Sequence, residues 1–98
     1  MAVYVEPLRN HGWKLGPSCH LVGDTLAELH AFARALGLRR SWFQDKRTPH
    51  YDLTAGKRAL AVSRGAVELT FAEAVAKWRT VEGNKNPPWP RISVDGAT

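Results

Sequence analysis

Three polar, chemically able side chains stand in a row at His50-Tyr51-Asp52, where a buried strand would carry apolar ones. An imidazole changes charge close to neutral pH and serves as general acid, general base or metal ligand. A carboxylate two residues away can share its work. Successive side chains of a strand point to opposite faces. Tyr51 is therefore expected in the core, with His50 and Asp52 together on a polar face. His20 joins them from a second short extended piece, and His50, Asp52 and His20 form the expected catalytic group. Glu6 follows the first strand and Asp24 the second, so Glu6, His20, Asp24, His50 and Asp52 make a candidate set for a divalent transition metal. Such a metal could activate water for phosphodiester or phosphomonoester hydrolysis. No compact His-Glu-x-x-His signature supports it, and Asp24 reads first as a helix cap.

The elements that must position these groups alternate along the chain. Ala2 to Val5 reads as a short strand stopped by Pro7. Leu8 to Ser18 is a loop carrying Arg9, His11, Trp13 and Lys14, and Cys19 to Val22 is extended again. Thr25 and Glu28 have capping-box spacing ahead of Leu26, Leu29, Ala33 and Leu36 on one helical face, and Gly37 suits its stop. His30 beside that face reads as a core-edge histidine bonded to a carbonyl. A strand over Tyr51 to Leu53, a helix capped by Thr54, a strand over Ala66 to Leu69 and a helix opened by Thr70 and Glu73 follow. This order predicts a small single α/β domain over 1–80, with a short, mostly parallel sheet of three or four strands and about three helices. Residues 81–98 read as an extended Pro-rich tail, in which Asn86-Pro87-Pro88-Trp89-Pro90 favours polyproline II and could meet a protein partner. In a parallel α/β sheet the ligand would lie beyond the carboxyl ends of the strands.

The charge suggests a partner. The 98 residues carry a formal net charge of +5. Residues 34–64 hold eight Lys/Arg against Asp45 and Asp52, so the whole excess sits in the middle third. Arg39, Arg40, Lys46 and Arg47 could meet phosphates and Trp42 could stack on a base, with Arg9, Trp13 and Lys14 as the other wall of a groove. Nucleic acid or a nucleotide is the expected partner. Gly56-Lys57 lacks the glycine and spacing of a phosphate loop.

Composition narrows the class. Apolar residues make up 44% and charged residues 23%, an ordinary globular balance. The one cysteine, Cys19, cannot close an internal disulfide; it reads as packed, and a reducing compartment is expected. No apolar run approaches a membrane span and no basic, apolar leader opens the chain, so a cytoplasmic protein is expected. No cofactor beyond a divalent metal is suggested.

The ordered motifs also resemble a family. His20-Leu21-Val22-Gly23-Asp24, then Glu28-Leu29-His30-Ala31-Phe32-Ala33, then Arg40 with Trp42 or Phe43, then His50-Tyr51-Asp52, then Ala61-Val62-Ser63-Arg64-Gly65-Ala66 are similar to the small bacterial and phage proteins catalogued as domain of unknown function 4031. The likeness covers roughly Ala2 to Val75. Family members often carry Asp where this chain has Glu6, and an acidic residue where it has Pro49. The resemblance implies a compact α/β domain with a polar site and implies no activity. Three functions follow as expectations: binding a phosphate-bearing partner, a metal-dependent phosphoester hydrolase, and a protein-interaction module using the Pro-Trp tail.

Overall fold

Among residues 2–85, three threonines start three helices. Each sits in extended backbone and accepts, through its hydroxyl, the amide three residues on: Thr25 from Glu28 at 3.1 Å, Thr54 from Lys57 at 3.2 Å, Thr70 from Glu73 at 3.1 Å. The Glu73 carboxylate reaches back to the Thr70 amide at 2.8 Å and completes a reciprocal cap. Glu28 instead accepts from the Thr25 hydroxyl at 2.9 Å.

A computed structural model describes residues 2–85. In chain order the elements are β1 (Val3–Val5), β2 (Ser18–Gly23), α1 (Leu26–Ala35), a 3-10 turn (Arg40–Trp42), β3 (Tyr51–Thr54), α2 (Ala55–Ser63), β4 (Val67–Glu68) and α3 (Phe71–Trp78). The α/β class, the three helices and the four strands agree with the sequence expectation. The strands lie in the order β3-β2-β1-β4.

The expected mostly parallel pairing is corrected. β1 with β2 and β2 with β3 are antiparallel, and among the described residues only β1 with β4 is parallel. The connections explain this. Residues 6–17 form a loop without a helix, and such a loop returns the chain alongside the strand it left. α1 runs back along β2, so its end meets the start of α2, where Lys57 Nζ donates to the Leu36 carbonyl at 2.7 Å. Residues 37–50 then carry the chain back once more, and β3 enters opposite Leu21. β3–α2–β4 is a crossover of the βαβ kind, passing over two strands.

One face of the sheet carries Val3, Val5, Cys19, Leu21, Tyr51 and Leu53, which form the core with Leu29, Ala33 and Leu36 of α1 and Ala61 of α2. Leu21, Val5 and Leu53 have no exposed surface. Burying each such side chain contributes roughly 1.5–3 kcal/mol. Strand alternation puts Tyr4, Glu6, His20, Val22, His50 and Asp52 on the other face. α3 covers part of it, with Lys77 Nζ 4.8 Å from the Tyr4 ring. The chain stays attached past the boundary expected at residue 80: Val81 is buried, Glu82 accepts from the Leu26 amide at 2.7 Å, and the Lys85 amide donates to the Arg47 carbonyl at 2.7 Å. The 86–90 segment and its proposed protein contact lie outside the described residues.

Candidate metal and phosphate site

Register builds the site. Val5 pairs with Leu21, which sets Glu6 beside His20, and His20 pairs with Asp52. Glu6, His20 and Asp52 thus form one row across β1, β2 and β3, on the sheet's open face and not beyond its strand ends. His50, two residues before Asp52, stands on the same face. Its backbone is fixed by two hydrogen bonds with Gln44, at 2.9 and 3.1 Å. The His20 and His50 rings are 4.4 Å apart between centroids, at 72°.

Both imidazoles are held through the same ring atom, Nδ1. His20 Nδ1 lies 2.7 Å from Glu6 Oε1, and that oxygen also accepts the His20 backbone amide at 2.6 Å. His50 Nδ1 lies 2.7 Å from the Thr48 carbonyl oxygen. Thr48 offers only an acceptor there and Glu6 is a carboxylate, so Nδ1 is the donor in each ring. Each Nε2 is left facing Asp52 Oδ1, at 3.8 Å from His20 and 3.4 Å from His50. Asp52 Oδ2 accepts from the Gln44 side-chain amide.

The electrostatics follow. The hydrogen bond to Glu6 raises the His20 pKa above its ordinary value, against burial, with the Glu6 and Asp52 charges adding to the rise. Burial pulls Glu6 upward, but the hydrogen bonds and charge of His20 outweigh it and leave the carboxyl lowered. His50 is lowered, by burial first and by the His20 charge, although its bond to Thr48 acts the other way. His50 therefore favours the neutral form, which is the form that binds a metal.

His20, His50 and Asp52 each present a ligand atom within 4.8 Å of the others. Zn²⁺ bonds to nitrogen and oxygen at about 2.0–2.2 Å, so donors about 3–4 Å apart suit one ion. The Asp52 side chain is partly exposed and can turn to adjust its separations of 3.8 Å from His20 and 3.4 Å from His50. A carboxylate behind a ligating imidazole, as Glu6 stands behind His20, is the usual outer support of such a site. Three protein ligands would leave a position for water or substrate.

The structure does not gather every expected residue. Asp24 stands apart from the cluster: it accepts the Ala2 amide at 2.8 Å and the Tyr4 hydroxyl at 2.9 Å, with Lys77 at 3.9 Å. Of the basic residues, Lys46 and Arg47 border a cleft with His20 and His50. Arg9 bears on His20 through its charge and lies 5.3 Å from the Phe71 ring. Lys14 is exposed on the 6–17 loop. Arg39 sits over the Trp42 ring at 5.7 Å. Arg40 goes elsewhere: it stacks on Phe43 at 4.9 Å and borders a hollow with His30 and Tyr51, on the α1 side of the sheet. His30 takes the Tyr51 hydroxyl as its partner at 2.8 Å, and not a carbonyl.

Sequence reasoning gave no place in the site to His11 or Gln44. The His11 ring is 6.5 Å from that of His20, and with Gly12, Trp13, Ser18, His20 and Asp52 it lines a hollow of about 440 Å³. No spacing rule announces His11, because the loop alone brings it there.

The fold and site define a small α/β protein with a two-histidine, one-carboxylate cluster on the open face of a mixed sheet. Residues 3–81 match the model of a family described as protein of unknown function DUF4031, and the chain belongs to that family. Neither the curated proteins nor the solved structures contain a match. No helix among the described residues is long and apolar enough to cross a membrane.

Proposed function

We propose that this protein holds a divalent transition metal on His20 Nε2, His50 Nε2 and Asp52 and acts on phosphate-bearing partners, as a metal-dependent phosphoester hydrolase. One observation carries the proposal: both imidazoles are pinned through Nδ1, so two Nε2 atoms and one carboxylate oxygen converge. An open coordination position would give a bound water of lowered pKa, the nucleophile for phosphoester hydrolysis. Lys46 and Arg47 beside His50, with Arg9 near His20, supply positive charge for a phosphate.

Thermal unfolding with Zn²⁺, Mn²⁺, Co²⁺, Ni²⁺ or Fe²⁺ tests it. A hundredfold excess over Kd stabilises by about 2.7 kcal/mol. For a domain of this size that raises Tm by on the order of 10 °C. His50→Ala is expected to abolish the rise, and the metal-loaded protein to cleave a phosphodiester that the metal-free protein leaves intact. No rise with any of these ions would remove the metal site.

A second reading, phosphate binding without chemistry, is favoured by Lys46 and Arg47 lining the cleft. It predicts retention on heparin or DNA that weakens steeply with salt, and that is lost when Arg9, Lys46 and Arg47 are reversed together. Salt-independent retention counts against it.

A further inference from the structure

We infer that the metal cluster adjoins a stacking slot for one unpaired nucleobase, so that the partner is a nucleotide or single-stranded nucleic acid and not a duplex. The inference rests on the phosphate-bearing partner proposed above.

Trp13 and Leu15 of the 6–17 loop, Leu38, Trp42 of the 3-10 turn and Phe43 after it line a cavity of about 550 Å³. Volumes of this order suit small-molecule sites. Trp13, Leu15 and Trp42 are 41%, 64% and 52% exposed, so three large apolar side chains are left in water at one place. Scattered exposed apolar residues need no explanation, but two indoles from separate segments on one cavity do.

Position selects the occupant. Asp52 lines this cavity and also the hollow that holds His11 and His20, and Trp13 lines both as well. The slot and the metal cluster therefore share a wall: Asp52 Oδ1 faces the two Nε2 atoms, and its Oδ2 is held by Gln44, another residue of the slot. A ligand that fills both must join a planar apolar group to an anion within a side chain's width. A nucleotide has that form. The Arg39 guanidinium over the Trp42 ring and Lys57 in the wall give the slot a positive rim, which an uncharged apolar peptide would leave unmatched. A base inside a duplex is covered on both faces by its neighbours, so only an unpaired or extruded base can enter.

Selectivity among bases is expected to be weak. Three polar groups in the wall are already engaged: Thr54 with the Lys57 amide, Lys57 Nζ with the Leu36 carbonyl, and the Gln44 amide with Asp52. Ser41 adds a hydroxyl to the wall, and recognition otherwise falls to stacking, which every base satisfies.

The test is anisotropy of labelled oligonucleotides with the full chain, with and without metal, using a single strand and the same strand in a duplex, and competition by a mononucleotide. The single strand is expected to bind at least tenfold more tightly than the duplex. Trp42→Ala and Trp13→Ala are each expected to weaken it about tenfold or more, the scale of one stacked base. Both tryptophans are exposed, and a metal-free Tm kept in both variants shows that the fold persists. Effective mononucleotide competition identifies a nucleotide site; competition only by longer strands identifies a single-stranded nucleic-acid site. Equal binding of duplex and single strand, or no effect of either tryptophan, overturns the slot. If metals do not bind and the tryptophan dependence remains, the slot stands and the metal site falls. If metals bind but no oligonucleotide or nucleotide does, the metal site stands and the slot falls.

Discussion

Glu6 Oε1 accepts two hydrogen bonds from His20, one from the backbone amide at 2.6 Å and one from ring Nδ1 at 2.7 Å. The carboxylate is buried, and its neighbours leave it ionised. It therefore fixes the His20 tautomer and aims Nε2 at Asp52. Glu6→Gln keeps the shape and removes the charge. Metal affinity is expected to fall 10–100-fold, the usual loss when an outer partner of a ligand is replaced. The His20 pKa, read by NMR, should fall with it. An unchanged Kd would mean that Glu6 serves the fold alone.

Metal affinity should rise with pH. His20 Nε2 must lose its proton to bind, and the His20 pKa is raised, first by its hydrogen bond to Glu6. Between the lowered value of His50 and that raised value, Kd is expected to improve about tenfold per pH unit, because one proton is released per metal. Above it, Kd should level off. His50, lowered by burial, is already neutral there and adds little slope. Calorimetry in two buffers of different ionisation heat would count the proton. A flat profile from about pH 5.5 to 8, the range in which histidines titrate, would exclude His20 as a ligand.

The metal-free protein should show a complementary stability profile. His20 is raised on folding, so its contribution is full below the ordinary value of 6.5 and is lost as pH rises through the folded value. Glu6 is lowered, so its contribution is present above 4.5 and is lost as pH falls through the folded value. The urea midpoint difference between the natural chain and Glu6→Gln is therefore expected to be greatest between these values and to shrink on either side. His50, lowered, works against His20 near neutrality: it favours folding above 6.5 and loses that contribution as pH falls. A difference independent of pH would show that the two groups do not pair.

The helices, their threonine caps and the split of His50-Tyr51-Asp52 were legible because each rests on neighbours in sequence. A hydroxyl three residues from an amide and a side chain alternating across a strand are local facts. Strand direction was not legible, since it depends on residues 37–50 carrying the chain back after α1. The pairing of Glu6 with His20 depends on the register of β1 against β2 across the 6–17 loop. Arg40 and Arg47 looked like one basic segment, yet they lie on opposite sides of the sheet, because the 3-10 turn and the bridge between Gln44 and His50 carry the chain around the β3 edge. Asp24 looked like a ligand or a cap and instead ties down the start of the chain through the Ala2 amide.

The two faces of β3 can be separated by substitution. Tyr51 is 1% exposed and its hydroxyl meets His30 Nδ1 at 2.8 Å, on the α1 side. Tyr51→Phe leaves that partner unpaired and is expected to cost about 1 kcal/mol. For a domain of this size the Tm should drop by roughly 4–8 °C. Metal affinity should not change, since the lost group lies on the face away from His20 and His50. A loss of metal binding as large as that of Asp52→Asn would show that the faces are coupled.

Gln44 offers the sharpest test of how Asp52 is aimed. Its side-chain amide donates to Asp52 Oδ2, while its backbone pairs with His50 through hydrogen bonds of 2.9 and 3.1 Å. Gln44→Ala removes the first and keeps the second, so His50 should hold its place. Asp52 is then free to turn, and its Oδ1 faces the two Nε2 atoms for less of the time. A loss of metal affinity of about tenfold or more is expected, with the Tm of the metal-free protein nearly unchanged because Asp52 is exposed. The pH at which affinity levels off should stay where it was, since that point belongs to His20 and Glu6. A shift of that point, or a metal-free Tm as low as that of a core variant, would show that Gln44 supports the loop and not the ligand.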